Sequence, residues 1–251
     1  MALRYEIDPT RVTTVLTSCG RFDLLEETVA SFFRHVLVSK IIVADDSQRP
    51  KDAVAFAEKF PAVEMRINDP QLGQMGSIDK LYASIQTPYV LHLEDDWCFT
   101  RSLDLERVIG FMQSRPDVSV VCIAHRIFDL RYAKSAHKVQ SEGIDYMLWD
   151  LNAHPKWFSY SFNPSIARLS LWRDVGPFAP FITEENLSQS VKAEGMRIAM
   201  IAPRIADHIG DDRHVTDPFQ PPRPKTLVGR LKRSIVKRWA QILREGQERC
   251  L

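Results

Sequence analysis

An α/β architecture, a parallel sheet with helices on both faces, is the fold this sequence predicts, and three observations predict it. Strand-like apolar runs alternate with amphipathic helical segments four times between Val12 and Phe99. The runs end in polar or acidic residues rather than in apolar ones, as Ser18, Asp45 and Asp46, and Glu94 to Asp96 do. Finally, 251 residues that are 45% hydrophobic and 26% charged suffice for one sizeable core, so one elaborated domain is expected.

In chain order, Val12 to Thr17 is a β-branched run that breaks into Ser18, Cys19, Gly20 and Arg21, a strand followed by a loop. From Phe22 to Val36, apolar residues at Leu24, Leu25, Val29, Phe32 and Phe33 have the spacing of a helix with one buried face. Ser39 to Asp46 is a second strand. After Pro50, Val54, Phe56, Ala57 and Phe60 space a second helix; Val63 to Ile67 is a third strand and Ser77 to Ile85 a third helix. The fourth strand is Tyr89 to Leu93, and a helix begins near Leu103. Right-handed crossovers gather the loops after these strands on one edge, so Ser18 to Arg21, Asp45 to Ser47 and Glu94 to Trp97 become neighbours.

The acids at Glu94, Asp95 and Asp96 are the most informative feature. A buried strand cannot carry three carboxylates into a core, so they sit at its carboxyl end, where open α/β sheets bind ligands. Crowded carboxylates repel one another unless a cation or proton relieves them, and a hard divalent metal bridging to phosphate oxygens does so. The plainer reading is a solvated acidic turn leading into the next helix. Other nucleotide folds fit less well: TSCGRFD after the first strand is neither GxGxxG nor GxxxxGK[ST], and lacks the Gly-rich basic loop of a sugar-nucleotide pyrophosphorylase.

The motifs in this order resemble the nucleotide-sugar glycosyltransferases of the GT-A fold, specifically the family-2-like bacterial group, over roughly Val12 to His214. The resemblance implies a Rossmann-like, mixed but mostly parallel sheet flanked by helices, and transfer of a sugar from a nucleotide-diphosphate donor to a hydroxyl of a glycan acceptor. VLTSCGR is similar to the family's opening strand and nucleotide loop, which brings Thr17, Ser18 and Arg21 to the donor. IIVADDS is similar to the second strand, whose acidic end reads the nucleobase, Asp45 or Asp46 here. LHLEDDW is similar to the Asp-x-Asp metal motif, with Asp96 as the direct ligand, Glu94 or Asp95 as helper, and Mn2+ or Mg2+ as the ion. Glu in place of the first Asp leaves the division between Glu94 and Asp95 open. Lys80, in the loop and helix that line the family's donor pocket, and Arg126 are further cations for the phosphates, although a solvated helix position also explains Lys80.

The second half is less regular. Val118 to Ala124 reads as a buried strand, the mixed stretch from Phe128 to Asn152 shows no period, and the alternation of Phe158, Tyr160 and Phe162 predicts a half-buried strand. Trp157 and Trp172 suit either stacking on a ligand or packing at the rim. Glu184 and Glu185 open a helix; acids in a first turn are favoured by the helix dipole, while the resemblance places the general base at Glu185 with Glu184 as the alternative, and implies inversion. It also implies that His208 completes the metal sphere and that Arg213 and His214 meet the diphosphate from a loop over the donor.

From Arg223 to Leu251, nine Lys or Arg face two Glu, a balance of +7 within an overall +1, which leaves −6 for the rest. Val228, Leu231, Ile235, Trp239 and Ile242 space a basic amphipathic helix over this tail, suited to an anionic membrane surface or to packing on the domain. Residues 1–222 are then the transferase domain. An acidic body argues against nucleic acid as a partner. The four cysteines lack paired metal-ligand spacing and suit reduced thiols, and no run approaches a membrane span or a secretory signal. The expected place is the cytoplasm, peripheral on the inner face of the cell membrane, and the expected role is bacterial surface polysaccharide or lipopolysaccharide synthesis on a glycan or lipid-linked acceptor. The rival readings are a nucleotidyl or phosphoryl transferase using the same metal, and a non-catalytic nucleotide- or glycan-binding protein.

Overall fold

The computed structural model describes residues 4–125, 135–210 and 213–220, so Arg126 and the basic amphipathic tail lie outside the described residues. The chain divides into two units, residues 1–217 and 218–251, and the account below concerns the first. Its opening half alternates as expected: β1 (Tyr5–Glu6), β2 (Val12–Ser18), α1 (Phe22–His35), β3 (Val36–Leu37), β4 (Ile41–Asp45), α2 (Pro50–Lys59), β5 (Val63–Ile67), α3 (Gly73–Ala83) and β6 (Tyr89–Glu94). There follow β7 (Trp97–Phe99), α4 (Leu105–Ser114), β8 (Val118–Cys122), β9 (Ala136–Ser141), β10 (Ile144–Trp149), β11 (Ser165–Arg168) and α5 (Leu169–Val175). A 3-10 turn at Ala179–Phe181 leads to α6 (Glu184–Ala193), β12 (Arg197–Ala202) and β13 (Ala206–His208).

Nine strands form one sheet in the order β5-β4-β2-β6-β11-β8-β12-β10-β9. β5, β4, β2 and β6 are mutually parallel, β8 and β12 run the same way, and β11 and β10 are reversed, so the sheet is mixed but mostly parallel. Alternate side chains of the central strands enter two separate cores. Leu16, Val43 and Leu91 pack with Leu25, Val29 and Phe32 of α1, Phe56 of α2 and Val108 of α4. Val15, Ala44 and Val90 pack with Ile78 and Leu81 of α3, Leu169 of α5 and Leu187 of α6. Burial on both faces explains why these strands read as continuous apolar runs, and each fully buried Val or Leu contributes roughly 1.5–3 kcal/mol.

Two expectations are corrected. The segment 128–152, without a visible period, contains the β9–β10 hairpin, paired in register from Ala136 with Trp149 to Ser141 with Ile144. Phe158, Tyr160 and Phe162 do not lie in a strand: β11 begins only at Ser165, and its two neighbours, β6 and β8, already take both of its edges. Their alternation comes from aromatic packing. Phe158 has φ 72° and stacks on Trp149 at 4.2 Å, whereas Tyr160 and Phe162 turn into a cluster around Phe178.

Asp79 of α3 fixes the turn ahead of α6. Its carboxylate accepts the Trp172 indole N–H and the Phe178 backbone N–H, both at 2.7 Å, and the Ala179 N–H at 2.8 Å. These bonds and the edge-on contact of Trp172 with Tyr82 make Trp172 a packing residue at the rim. Asp79→Ala is expected to lower unfolding free energy by about 3 kcal/mol, since hydrogen bonds to a charged acceptor contribute roughly 1.5–3 kcal/mol each and partly relax on removal; urea denaturation measures it. No helix among the described residues is long and apolar enough to cross a membrane.

Candidate functional site

The strand order reverses direction between β2 and β6, and at such a switch point the loops diverge and leave a crevice. The ladders align its walls: Thr17 lies opposite Glu94, and Ser18 lies opposite Asp45. Thr17, Ser18, Asp45, Asp46, Asp95 and Asp96 are all buried at this edge, which brings the three predicted loops together.

Asp45 and Asp46 are committed to the protein's own donors. Asp45 accepts the Gly20 N–H at 3.0 Å and the Ser47 N–H at 3.1 Å, tying the loop after β2 to the loop after β4. Asp46 accepts Asn68 Nδ2 at 3.0 Å and the N–H groups of Leu72 and Gly73 at 2.8 and 2.9 Å, which satisfies amides at the N-terminus of α3. Lys80 belongs to this network: its Nζ reaches Asn68 Oδ1 at 3.1 Å from an exposed helix position. Beside these acids the Cys19 thiol is pushed up to about 11, by burial first and then by Asp46, Asp45 and Asp95, so it stays protonated and is no nucleophile.

Arg21 is the cation of the crevice. Its guanidinium donates to Asp95 through Nη2 and through Nε at 3.3 Å, while Nη1 reaches Asp96 Oδ2 at 2.9 Å and the Arg213 carbonyl at 3.0 Å. Ser18 Oγ adds a hydrogen bond of 3.0 Å to Asp95. Asp96 also meets His208, whose Nε2 lies 3.4 Å from Oδ2. A short antiparallel ribbon makes that meeting possible, because β13 pairs with β7 and places His208 opposite Trp97, whose ring packs edge-on against the imidazole at 5.1 Å. Gly210 completes the close approach: a Cβ there would lie 2.5 Å from Asp96 Oδ2.

Glu94 faces the same space from β6. Gln74 Nε2 donates to it at 2.9 Å and Trp97 Nε1 at 3.3 Å. Removal from water, then the charges of Asp96 and Glu184, hold its carboxyl well above the usual carboxylate range. The structure thus separates the two acids that open α6. Glu184 is close enough to repel Glu94, is raised above its ordinary pKa by burial, and is held by the Ser161 hydroxyl and the Phe162 backbone. Glu185 faces elsewhere, with Lys156 Nζ 3.2 Å from its carboxylate. The signal was present in the helix: Glu184 stands three and seven residues before Leu187 and Val191, the buried face, and Glu185 does not. Thr183 caps α6 by accepting the Asn186 N–H at 3.3 Å.

Arg213 is exposed, and it pairs with Asp23, whose carboxyl it lowers to about 2. Asp217 Oδ2 accepts the Gln74 N–H at 3.0 Å. Sequence reasoning assigned no role to Gln74, Ser161 and Gly210, because each acts through a contact with a distant element, or to Trp97, which closes LHLEDDW and donates back to Glu94.

Among the described residues no three His, Cys, Asp or Glu side chains converge to enclose a metal. The donor set nevertheless fits a hard divalent ion held partly by substrate: Asp96 and His208 offer an oxygen and a nitrogen at one point, beside the uncompensated Glu94. Magnesium-type sites commonly use one or two protein ligands and take the rest from phosphate and water.

Known proteins share this architecture. The solved mannosyltransferase PcManGT from Pyrobaculum calidifontis, in complex with GDP-Man and Mn2+, superposes with TM-score 0.58 at 13% identity, covering 81% of this chain and 58% of that one. S. aureus TarS 1–349 in complex with UDP-GlcNAc gives TM-score 0.54 at 12% identity, covering 82% and 62%. These likenesses show the GT-A fold. Beta-1,4 N-acetylgalactosaminyltransferase 1 of Mus musculus is 26% identical over 114 residues, 42% of this chain and 19% of that protein, and the human protein of that name is 27% identical over 105 residues. The chain thus spans about a fifth of the length of the curated relatives it matches. The sequence model named Glycosyl transferase family 2 matches residues 13–173, from β2 into α5 and through the ends of β2, β4 and β6 but not the β13 segment that carries His208, and the chain belongs to that family.

Proposed function

We propose that the chain is a metal-dependent glycosyltransferase that moves a sugar from a nucleoside-diphosphate donor to a hydroxyl of a glycan or lipid-linked acceptor, with inversion. The observation that supports this reading is the meeting of Asp96 and His208 at 3.4 Å at the switch point of a family 2 chain, with Glu94 close enough to feel the charges of Asp96 and Glu184. Neighbours of the same fold crystallised with GDP-Man and Mn2+ or with UDP-GlcNAc support it. A divalent ion, Mn2+ or Mg2+, supplies neutralisation of the departing diphosphate when bound. Asp96 and His208 hold it, with Glu94 as the outer acid. Arg21 meets the diphosphate, with Arg213 at the crevice rim. Thr17, Ser18, Asp45, Asp46, Asp95 and Lys80 shape the donor pocket through the hydrogen bonds and registers described. Glu184, rather than Glu185, takes the proton from the acceptor hydroxyl, since it lies on the Leu187 and Val191 face of α6 close enough to feel Glu94, whereas Glu185 pairs with Lys156. The +7 balance from Arg223 to Leu251, beyond a proposed transferase domain of residues 1–222, supports an enzyme working at an anionic membrane face in the synthesis of bacterial surface polysaccharide or lipopolysaccharide.

A thermal-shift screen of UDP-, GDP-, CMP- and dTDP-sugars with and without Mn2+ tests the site. At 100 times Kd a ligand adds about 2.7 kcal/mol, so one donor is expected to raise Tm by roughly 5–10 °C with Mn2+ and far less without it. Product analysis should then show free nucleoside diphosphate and a glycosylated acceptor. Pyrophosphate release would identify a nucleotidyl transferase instead, and metal-independent shifts would remove Asp96 from its role.

A further inference from the structure

We infer that Arg21 sets the divalent-cation affinity of Asp96 by holding the same carboxylate oxygen, so that metal is taken up together with a nucleoside diphosphate rather than alone. The inference rests on the metal role proposed above for Asp96. Arg21 grips two acids with different parts of one fork. Nε and Nη2 anchor it on the buried Asp95, which Ser18 also holds, while Nη1 extends to Asp96 Oδ2 at 2.9 Å. That oxygen is also the one His208 Nε2 approaches at 3.4 Å.

The backbone of Asp96 is fixed beside the loop after β13, which keeps its carboxylate between Arg21 and His208. Its carbonyl accepts the Ile209 N–H at 2.9 Å, and the Gly210 backbone lies so close that a single added carbon would fall 2.5 Å from Oδ2. A guanidinium nitrogen and a divalent ion cannot share one oxygen without strong repulsion. Nη1 has an alternative partner in reach of its present place, the dense negative charge of a diphosphate, and a guanidinium is well suited to phosphate oxygens. A diphosphate that draws Nη1 off Asp96 frees Oδ2 for the ion, and Nε and Nη2 keep the anchor on Asp95. Metal and nucleotide then promote each other's binding by one and the same factor.

The test is Mn2+ binding to the full chain, read by electron paramagnetic resonance of free Mn2+, without nucleotide and then with saturating UDP or GDP. Arg21→Gln is expected to bind Mn2+ at least about tenfold tighter than wild type without nucleotide, which is 1.4 kcal/mol, and to lose a similar factor from the gain that nucleotide brings. Arg21→Lys keeps a charge but not the fork, and should fall between; it carries the test if Arg21→Gln does not fold. Damage to the fold weakens metal binding, so tighter binding has no merely structural explanation. If both Arg21 variants bind Mn2+ no tighter than wild type while Asp96→Asn abolishes binding, the Arg21 inference is overturned and the metal site stands. If Asp96→Asn binds like wild type, or wild type binds no Mn2+ with or without nucleotide, both fall.

Discussion

Glu184→Gln is expected to lower kcat by about 10²–10⁴-fold with the donor's Kd unchanged, the loss that follows removal of a general base. The amide keeps the shape of the side chain and one acceptor oxygen for the donors at Ser161 and Phe162, and removes the ability to accept a proton. Glu185→Gln keeps the shape of a side chain that pairs with Lys156 and removes no proposed proton acceptor, so its loss should stay well below the roughly 10²-fold floor of general-base removal. Saturation kinetics on both variants decides the matter. Unchanged turnover in Glu184→Gln, or a larger loss in Glu185→Gln, would return the base to Glu185.

The same substitution carries a stability prediction of opposite sense. Glu184 is raised above its ordinary value of 4.5 in the folded chain, chiefly by burial. A carboxyl raised on folding contributes stability that is complete below the unfolded pKa and is lost as pH rises through the folded one. Once pH rises above that folded-state pKa, without metal, the ionised side chain opposes folding, and there Glu184→Gln should melt at or above the wild-type temperature. An inactive variant of undiminished stability separates a residue kept for chemistry from one kept for packing. A variant that is both inactive and substantially destabilised would assign Glu184 to the fold.

The parts of this molecule that a sequence reader can find are those set by local pattern. β2, β4 and β6 are buried along almost their whole length and read as largely apolar runs, the edge strand β5 (VEMRI) is found by its place between two helices, and α1 shows a clear 3.6-residue stripe. The acids follow because an apolar strand has to end before them. What escaped depends on pairing across the chain. β7 and β13 are three residues each, too short for any period, yet their ladder is what carries His208 to Asp96. The β9–β10 hairpin has an outer strand whose His137, Lys138 and Gln140 are polar or basic, and it blends into the irregular sequence around it. Phe158, Tyr160 and Phe162 misled because aromatic residues packing into a cluster around Phe178 imitate a strand's alternation. Which of Glu184 and Glu185 shares the buried face of α6 was legible in helical phase, but a motif read residue by residue does not use phase.

Gly210→Ala should be the most damaging single-carbon change in the chain's chemistry, with turnover reduced by about 10²-fold, the scale of a displacement near 1 Å in a reacting site. The new Cβ would meet Asp96 at 2.5 Å from Oδ2, 2.6 Å from Cβ and 2.9 Å from Cγ. Rotating the Asp96 carboxylate clears the first contact but not the second, because Cβ is fixed by the backbone. The segment after β13 must therefore retreat, which pulls Ile209 N–H off the Asp96 carbonyl and draws His208 away from Oδ2. Metal-dependent stabilisation by nucleotide should shrink along with activity, while the far-ultraviolet circular dichroism stays that of the wild type. Gly110 gives the control: it lies within α4 with nothing inside 4 Å of an added Cβ, so Gly110→Ala should raise stability by about 0.5–1 kcal/mol and leave the metal response intact. If Gly210→Ala retains full Mn2+-dependent turnover, Asp96 does not work from the position that Gly210 and His208 define for it, and the ion must be held elsewhere.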